Sequence, residues 1–209
     1  MNCLHIMLIA SVVATATCSL AKESQTLTQP DAGLPGLTPS EVIPDWVARW
    51  ELARCLTILK RYDEAIADYQ ILLKGKPELH KARLECAQAL VWSDKKSEAD
   101  TLLEKINASQ LTLPEQGALA DLYVILKKYA LAAPLYRTVL AATPEDHKTR
   151  LKLAEMLSWE KKYAESLTEY TTLLKALPED QQIRRKYALV LIWNGQHEAA
   201  IPELRKTLP

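Results

Sequence analysis

Residues 150–166 read RLKLAEMLSWEKKYAES, and this stretch contains the pattern that decides the fold. A small residue, Ala154, stands in an apolar stripe with helical spacing. A second small residue, Ser166, follows twelve positions later, beyond a Lys-Lys-Tyr turn. Two helices can pack closely where such residues face each other, because a larger side chain would push the backbones apart. The stretch therefore predicts a helical hairpin.

The same pattern recurs along the chain with a fixed period. Residues equivalent to Ala154 are separated by steps of 34, 33, 34 and 34, and a second small residue lies twelve positions after each of them. The first set is Ala53, Ala87, Ala120, Ala154 and Ala188, and the second is Ala65, Ala99, Ala132, Ser166 and Ala200. A leucine stripe lies beside the first set, at Leu52, Leu56, Leu119, Leu153, Leu157 and Leu191. A period of this length indicates stacked hairpins that bury their apolar stripes against one another.

Other positions follow the same period. Tyrosines recur at Tyr69, Tyr136 and Tyr170, and prolines close three of the units at Pro77, Pro144 and Pro178. This set of positions resembles the tetratricopeptide repeat, over roughly Trp46 to the C-terminus. The resemblance implies an all-α fold, a right-handed α-solenoid of about five helix-turn-helix repeats. We expect units near residues 46–79, 80–112, 113–146, 147–180 and 181–209, with an irregular connection at 106–113.

The composition agrees with a helical protein and argues against nucleic acid as a partner. The 209 residues include no Phe and only 5 Gly, and 48% are hydrophobic. The chain has 26 basic and 26 acidic side chains, so its formal net charge is zero. Binding to nucleic acid is driven largely by basic side chains that displace counterions from phosphates. We therefore expect no nucleic-acid partner.

The N-terminal region differs from the rest of the chain. Its first 21 residues contain no Asp, Glu, Lys or Arg, and their apolar run, 4–14, is shorter than the roughly 20 residues needed to span a bilayer. This pattern predicts a signal peptide that is cleaved after Ala21, and hence a periplasmic or secreted protein. Lipidation at Cys18 is the alternative. Residues 22–44 contain four prolines, which predicts a flexible Pro-rich tether.

Two cysteines remain in the predicted repeats. Cys55 and Cys86 lie in the first helices of units one and two. In the tetratricopeptide repeat, successive first helices pack side by side, so the resemblance places the two thiols near each other. In an exported protein they would form a disulfide. The alternative is two buried thiols that act as small apolar side chains.

The sequence contains no recognisable catalytic or metal-binding motif. His80, His147 and His197 lie in different units, which argues against a shared metal ion. There is no Cys-x-x-Cys, His-Glu-x-x-His, Gly-x-Ser-x-Gly or glycine-rich phosphate loop. We therefore expect no cofactor, no metal and no enzymatic activity.

Three tryptophans occupy one position of the repeat. Trp92, Trp159 and Trp193 each lie five residues after the small residue of the first helix, where the other two units have Ile58 and Ile125. The resemblance implies that this face of the first helices lines a concave, ligand-binding groove. Indole rings there suit extended peptides and also sugar rings. The alternative is that each Trp packs against the next repeat.

The resemblance also assigns further residues to the groove: Trp50, Arg54, Lys81, Gln88, Asp121, Glu155 and Arg185. The chaperone-binding members of the family use a Lys/Asn/Arg clamp for a terminal carboxylate. Trp50 and Arg54 stand where that clamp requires Lys and Asn, which argues against a chaperone cofactor.

These observations predict a non-catalytic scaffold that binds a protein or peptide along its groove. A glycan-guiding or assembly subunit of an exopolysaccharide-export or outer-membrane system is the alternative, and an enzyme is a third, disfavoured one. No helix follows the fifth unit to cover Ile201, Leu204 and Leu208, so this end is expected to dock onto a partner or to self-associate.

Overall fold

The computed structural model describes residues 42–208, which form ten α-helices and contain no strand. Consecutive helices pair into five hairpins, and each hairpin packs against the next. The helices are α1 (Asp45–Ile58), α2 (Tyr62–Gly75), α3 (His80–Trp92), α4 (Lys96–Leu103), α5 (Leu113–Ile125), α6 (Tyr129–Ala142), α7 (His147–Trp159), α8 (Tyr163–Ala176), α9 (Gln181–Trp193) and α10 (His197–Arg205). The predicted all-α fold of five tetratricopeptide-type hairpins is confirmed.

The small residues lie at the buried crossing of each hairpin. All ten are at most 1% exposed. In the fourth hairpin the position holds Ser166 and not Ala, and its Oγ donates a 2.7 Å hydrogen bond to the carbonyl oxygen of Ala154 on the facing helix. The hydroxyl is therefore satisfied although it is buried, as a polar group in a helix crossing must be.

Each hairpin turns at one residue in the left-handed region. Lys60, Asp94, Lys127 and Lys161 have φ between 59° and 62°, and Gly195 has φ of 76° at the same position. In the first hairpin the N–H groups of Lys60 and Arg61 donate to the carbonyls of Thr57 and Leu56. This is the Schellman arrangement, which satisfies the last carbonyls of a helix and favours glycine at the left-handed residue. Only the fifth hairpin has that glycine.

Replacement of a left-handed lysine by glycine should stabilise the protein. In Lys161→Gly the strain of a side chain at φ of 62° is removed. We expect a gain of about 1 kcal/mol in the free energy of unfolding, because a left-handed L-residue costs roughly 1–2 kcal/mol and glycine returns part of this as chain entropy. Urea unfolding at neutral pH measures the change. Gly195→Ala is the matched reverse variant, and a gain in stability there would contradict the explanation.

The second hairpin is irregular, as the sequence predicts. Its second helix, α4, has 8 residues where α2, α6 and α8 have 14. A short 3₁₀-helix, Ala108–Gln110, then leads to a capping box in which Thr112 and Glu115 satisfy each other's backbone N–H groups. This box begins α5 and returns the chain to the repeat.

A recurring arginine joins the two helices of a hairpin. Its guanidinium contacts a carboxylate nineteen residues later, on the second helix, and in two hairpins it also donates to the carbonyl of the proline that precedes the hairpin. The pairs are Arg49–Asp68, Arg150–Glu169 and Arg184–Glu203. In the shortened second hairpin, Arg83 donates instead to the carbonyls of Lys105 and Pro77.

The leucine stripe is buried except at Leu52. Leu119 and Leu153 are at most 1% exposed, whereas the equivalent Leu52 is 49% exposed. In later hairpins this face packs against the preceding hairpin. No hairpin of the described residues covers it on α1, so the expectation that Leu52 is buried was wrong.

Candidate functional site

One apolar side chain per hairpin is exposed at the same repeat position. The predicted groove row is exposed along its whole length: Ile58 79%, Trp92 50%, Ile125 47%, Trp159 55% and Trp193 52%. Large apolar side chains aligned on one face are available to a partner. We call these five residues the exposed apolar row.

One member of the row, Trp92, also packs against a residue of the neighbouring hairpin. The ring of Trp92 packs against that of Tyr62 in the preceding hairpin, with centroids 5.8 Å apart and planes tilted by 47°. Part of the Trp92 ring is therefore packed against a neighbouring repeat, which is the preceding one and not the next one that the sequence suggested. The other part remains in solvent, so structural support and ligand contact are compatible at this position.

Ion pairs between successive first helices run beside the row. Arg54 binds Glu85 through two nitrogens, at 2.9 and 3.1 Å, Lys152 Nζ lies 2.6 Å from Asp121, and Lys186 pairs with Glu155. In each pair the two residues are 31 positions apart. Each pair joins the residue after the small residue of one first helix to the residue two positions before the small residue of the next first helix. We call this set the charge ladder.

The hairpins with a buried tyrosine also contribute a carboxylate to the charge ladder or lie beside one. Tyr136 donates a 2.6 Å hydrogen bond to Asp121, and Tyr69 donates a 3.3 Å bond to Glu85. The second hairpin has Leu103 in place of the tyrosine. There the two ladder positions are Gln88 and Ala118, which cannot form an ion pair. Each buried tyrosine thus has a ladder carboxylate nearby, and at Tyr69 and Tyr136 this carboxylate accepts the hydrogen bond of the hydroxyl.

The buried tyrosines make the protein sensitive to high pH. Burial, first of all, raises the pKa of Tyr69, Tyr136 and Tyr170 above its ordinary value, and nearby carboxylates raise it further. The folded state therefore holds these protons more tightly than the unfolded state. The stability that they contribute is fully present below about pH 10 and is lost as pH rises through the folded-state pKa.

We expect the free energy of unfolding to fall steeply above about pH 10. Each tyrosine with a raised pKa adds up to about 1.4 kcal/mol per pH unit to the slope of the unfolding free energy against pH. Urea titrations between pH 8 and 11 measure this slope. Tyr170→Phe is the matched variant because it removes one titrating group and keeps the ring. A slope that is the same in this variant and in the wild type would contradict the assignment.

The clearest cleft of the row lies in the last two hairpins. It has a volume of about 150 Å³, and its walls include Trp159, Trp193 and the Glu155–Lys186 pair. The half-exposed Leu189 and the ring of Tyr170 complete it. The lining of the cleft thus combines two indole rings with a carboxylate and an ammonium group. Such a cleft can hold an apolar side chain of a peptide while the backbone of the peptide forms hydrogen bonds with the charged groups of the cleft.

Several predicted groove residues are engaged elsewhere. Trp50 is only 6% exposed, and its Nε1 donates to Glu85 at 2.5 Å, so its assignment to the groove was wrong. Arg185 stands at the equivalent position and donates to the carbonyl of Thr207 in its own hairpin. The Trp50 indole thus contacts a carboxylate of the next hairpin, whereas the Arg185 guanidinium contacts a carbonyl of its own hairpin. Lys81 pairs with Glu115 at 3.2 Å.

The two cysteines differ in their surroundings. Both thiols are free in the structure, with Cys55 exposed and Cys86 buried, so the expected disulfide is not formed here. Burial raises the pKa of Cys86 to about 12, which keeps this thiol protonated at neutral pH. The alternative of two buried thiols describes Cys86 but not Cys55.

Sequence reasoning missed half of the ladder and the role of the tyrosine hydroxyls. Glu85, Lys152 and Lys186 were not singled out because charged pairs on exposed helix faces are common. The signal was present as opposite charges 31 residues apart, with one residue pair at each of three of the four junctions between hairpins.

Two general features of the described part of the chain bear on function. Within residues 42–208, no three His, Cys, Asp or Glu side chains come together in a group that could hold a metal ion. Over the same range, no helix is long and apolar enough to cross a membrane.

Comparison with known proteins agrees with this fold. Residues 41–80 and 161–209 match the family model described as Tetratricopeptide repeat. None of the curated proteins matches the sequence.

Solved structures give the same result over most of the chain. A MamA structure (AMB-1) superposes with a TM-score of 0.65 at 23% identity, covering 78% of this chain and 96% of that one. YrrB, described as a TPR protein with an unusual peptide-binding site, superposes with a TM-score of 0.67 at 18% identity, covering 78% of this chain and 84% of its own. At these identities the likeness shows the fold, and the chain has the tetratricopeptide repeat fold.

Proposed function

We propose that this protein is a non-catalytic scaffold that binds an extended segment of a partner protein along the exposed apolar row. The observation that carries the proposal is the repetition of a half-exposed apolar side chain at one position of all five hairpins. Packed helices lie about 8–10 Å apart, and an extended chain advances about 3.3 Å per residue. One side chain in about every three of a bound peptide would therefore meet a member of the row.

The charge ladder supplies what an extended peptide also requires. The side chains of Glu155 and Lys186 lie in the same cleft as Trp159 and Trp193, where they can bond to peptide N–H and C=O groups. Their mutual ion pair holds them in place before binding, so little side-chain entropy is lost when a ligand docks. The related fold of YrrB, which has a peptide-binding site, supports this ligand class.

Trp193→Ala should weaken peptide binding by about tenfold or more, since a tryptophan at the centre of a cleft commonly contributes 2 kcal/mol or more. The experiment selects ligands from a library of random peptides displayed on phage and then measures their affinity by fluorescence anisotropy. Leu131→Ala is the matched control, because Leu131 is 49% exposed but lies on α6, outside the row.

The controls separate binding from folding. Thermal unfolding of both variants should resemble that of the wild type, because both side chains are half exposed. If no peptide is selected, or if Trp193→Ala binds as Leu131→Ala does, the proposal is wrong. A large loss of stability in Trp193→Ala would instead support a purely structural role for the row.

A glycan ligand is the second candidate. Three members of the row are tryptophans, and Trp159 and Trp193 line one cleft together with hydrogen-bonding groups, which suits stacking on sugar rings. On this reading the protein guides a polysaccharide in an export or outer-membrane system. Quenching of tryptophan fluorescence by neutral or acidic oligosaccharides, with no binding of selected peptides, would favour it.

The proposal includes export of the protein to the periplasm or the outside of the cell. It rests on the 21 uncharged residues at the N-terminus and on the small residues that end at Ala21, all of which lie outside the described residues. Mass spectrometry of the protein from cells should find Lys22 as the first residue. A chain that begins at Met1 would contradict export, and an acylated Cys18 would establish the lipoprotein alternative.

A further inference from the structure

The outer face of the first hairpin exposes side chains at positions that are buried or half-buried in the other hairpins. Leu52 is 49% exposed and Leu59 is 66% exposed, and the thiol of Cys55 lies between them on α1. The residues equivalent to Cys55 are all at most 4% exposed because the preceding hairpin covers them: Ala89, Leu122, Met156 and Val190. This face is therefore built like one that receives a hairpin.

The far face of the fifth hairpin shows the complementary situation. Ile201 on α10 is 49% exposed, whereas two of its four equivalents, Ile66 and Ala133, are each 4% exposed and the other two, Asp100 and Leu167, are half-buried. Ile66 shares a buried cluster with Ala89, and Ala133 shares one with Met156. Position for position, Ile201 would meet Cys55 if the fifth hairpin packed on the first hairpin of another chain.

The ion pairs between successive hairpins give a second, independent indication that the two terminal hairpins are complementary. At the first junction Asp63 pairs with Lys95 at 2.7 Å, and at the third junction Arg137 pairs with Glu165 at 2.6 Å. Each pair joins a residue of one second helix to the turn or the first residues of the next hairpin's second helix.

The two terminal hairpins have the charges that would repeat both pairs. Glu198 is equivalent to Asp63 and Arg61 to Lys95, while Arg205 is equivalent to Arg137 and Glu64 to Glu165. The acidic Glu198 of the fifth hairpin would thus face the basic Arg61 of the first hairpin, and the basic Arg205 would face the acidic Glu64. Within one chain Arg61 and Glu64 pair with each other at 2.6 Å, and both are more than half exposed. Replacing this exposed pair by pairs with another chain therefore costs little free energy.

We infer that the protein self-associates head to tail, with the fifth hairpin of one copy packed on the first hairpin of a second copy. The contact continues the hairpin stack across two chains. It uses Ile201 against the face of Leu52, Cys55 and Leu59, and the pairs Glu198–Arg61 and Arg205–Glu64. Because the two surfaces differ, the contact is heterologous, and it builds open chains or rings. It leaves the exposed apolar row accessible.

Sedimentation velocity of the full chain over a range of concentrations tests the inference. We expect the weight-average mass to rise above that of one chain as concentration rises. Leu59→Asp blocks only the receiving face and Ile201→Asp only the inserting face, so each variant alone should be a monomer. Because each variant keeps one intact face, their mixture should form a dimer and stop there.

Charge exchange gives the second measurement. Arg61→Glu and Glu198→Arg should each reduce association, and the two changes together in one chain should restore it. A wild type that remains monomeric, association by either Asp variant alone, or failure of the mixture to dimerise would overturn the inference. Both Asp variants change exposed side chains, and circular dichroism with thermal unfolding should find them folded like the wild type. Loss of peptide binding to the row would leave this result unaffected, because the surfaces are separate.

Discussion

Ala154→Leu should lower the free energy of unfolding by about 3 kcal/mol or more. Ala154 is fully buried where α7 crosses α8, and its carbonyl accepts the hydrogen bond of Ser166. A leucine there adds three heavy atoms to a crossing without free space, so the helices must separate. Overpacking of a core costs about 1–3 kcal/mol and sometimes more, and here the hydrogen bond is strained as well.

Ala164→Leu is the matched control for this prediction. It makes the same substitution, but Ala164 lies at an exposed position of α8. It should alter stability by about 0.5 kcal/mol or less. Urea unfolding followed by circular dichroism at neutral pH measures both variants. Equal stability of the two variants would show that the crossing is not the constraint that sets the repeat.

Glu85→Ala is expected to have the second large effect, a loss of about 3 kcal/mol. The Glu85 carboxylate accepts hydrogen bonds from the indole of Trp50 at 2.5 Å, from Arg54 at 2.9 Å and from the hydroxyl of Tyr69 at 3.3 Å. Trp50 and Tyr69 are buried, so their polar hydrogens would lose their partner without gaining water. Removing one member of a buried polar network costs several kcal/mol for this reason.

Glu51→Ala is the control for Glu85→Ala. Glu51 also pairs with Arg54, at 2.9 Å, but its side chain is 42% exposed and it contacts Arg54 within one helix. An exposed pair contributes little, so this variant should lose about 0.5 kcal/mol or less. Thermal and urea unfolding compare the two. A loss in Glu85→Ala as small as that in Glu51→Ala would mean that the first two hairpins do not depend on this carboxylate.

The hairpins and their order were predictable because they depend on spacing along the chain. The small residues at Ala53 and Ala65, and their equivalents, determine where two helices can approach, and the repeat period places every helix. The exposed apolar row was predictable for the same reason: one position per period must lie on one face of the stack. The irregular second hairpin was also visible, because the proline at its end is missing.

The side-chain partners were not predictable from spacing in one helix. The resemblance to the family assigned Trp50 to the groove, but its indole donates a hydrogen bond to Glu85 of the next hairpin. The free, exposed Cys55 and the buried Cys86 likewise reflect which hairpin packs on which face. Such contacts join residues of different hairpins, 35 positions apart for Trp50 and Glu85, and their geometry depends on the packing of whole hairpins.

The sequence alone therefore determined the helical repeat, its five units and the row of apolar side chains, because these follow from periodic steric constraints on neighbouring helices. Only the tertiary structure decided which charged groups pair, which tryptophans are buried and which faces stay uncovered. Those properties depend on distances between hairpins, where a shift of a few ångströms separates an ion pair from an exposed charge.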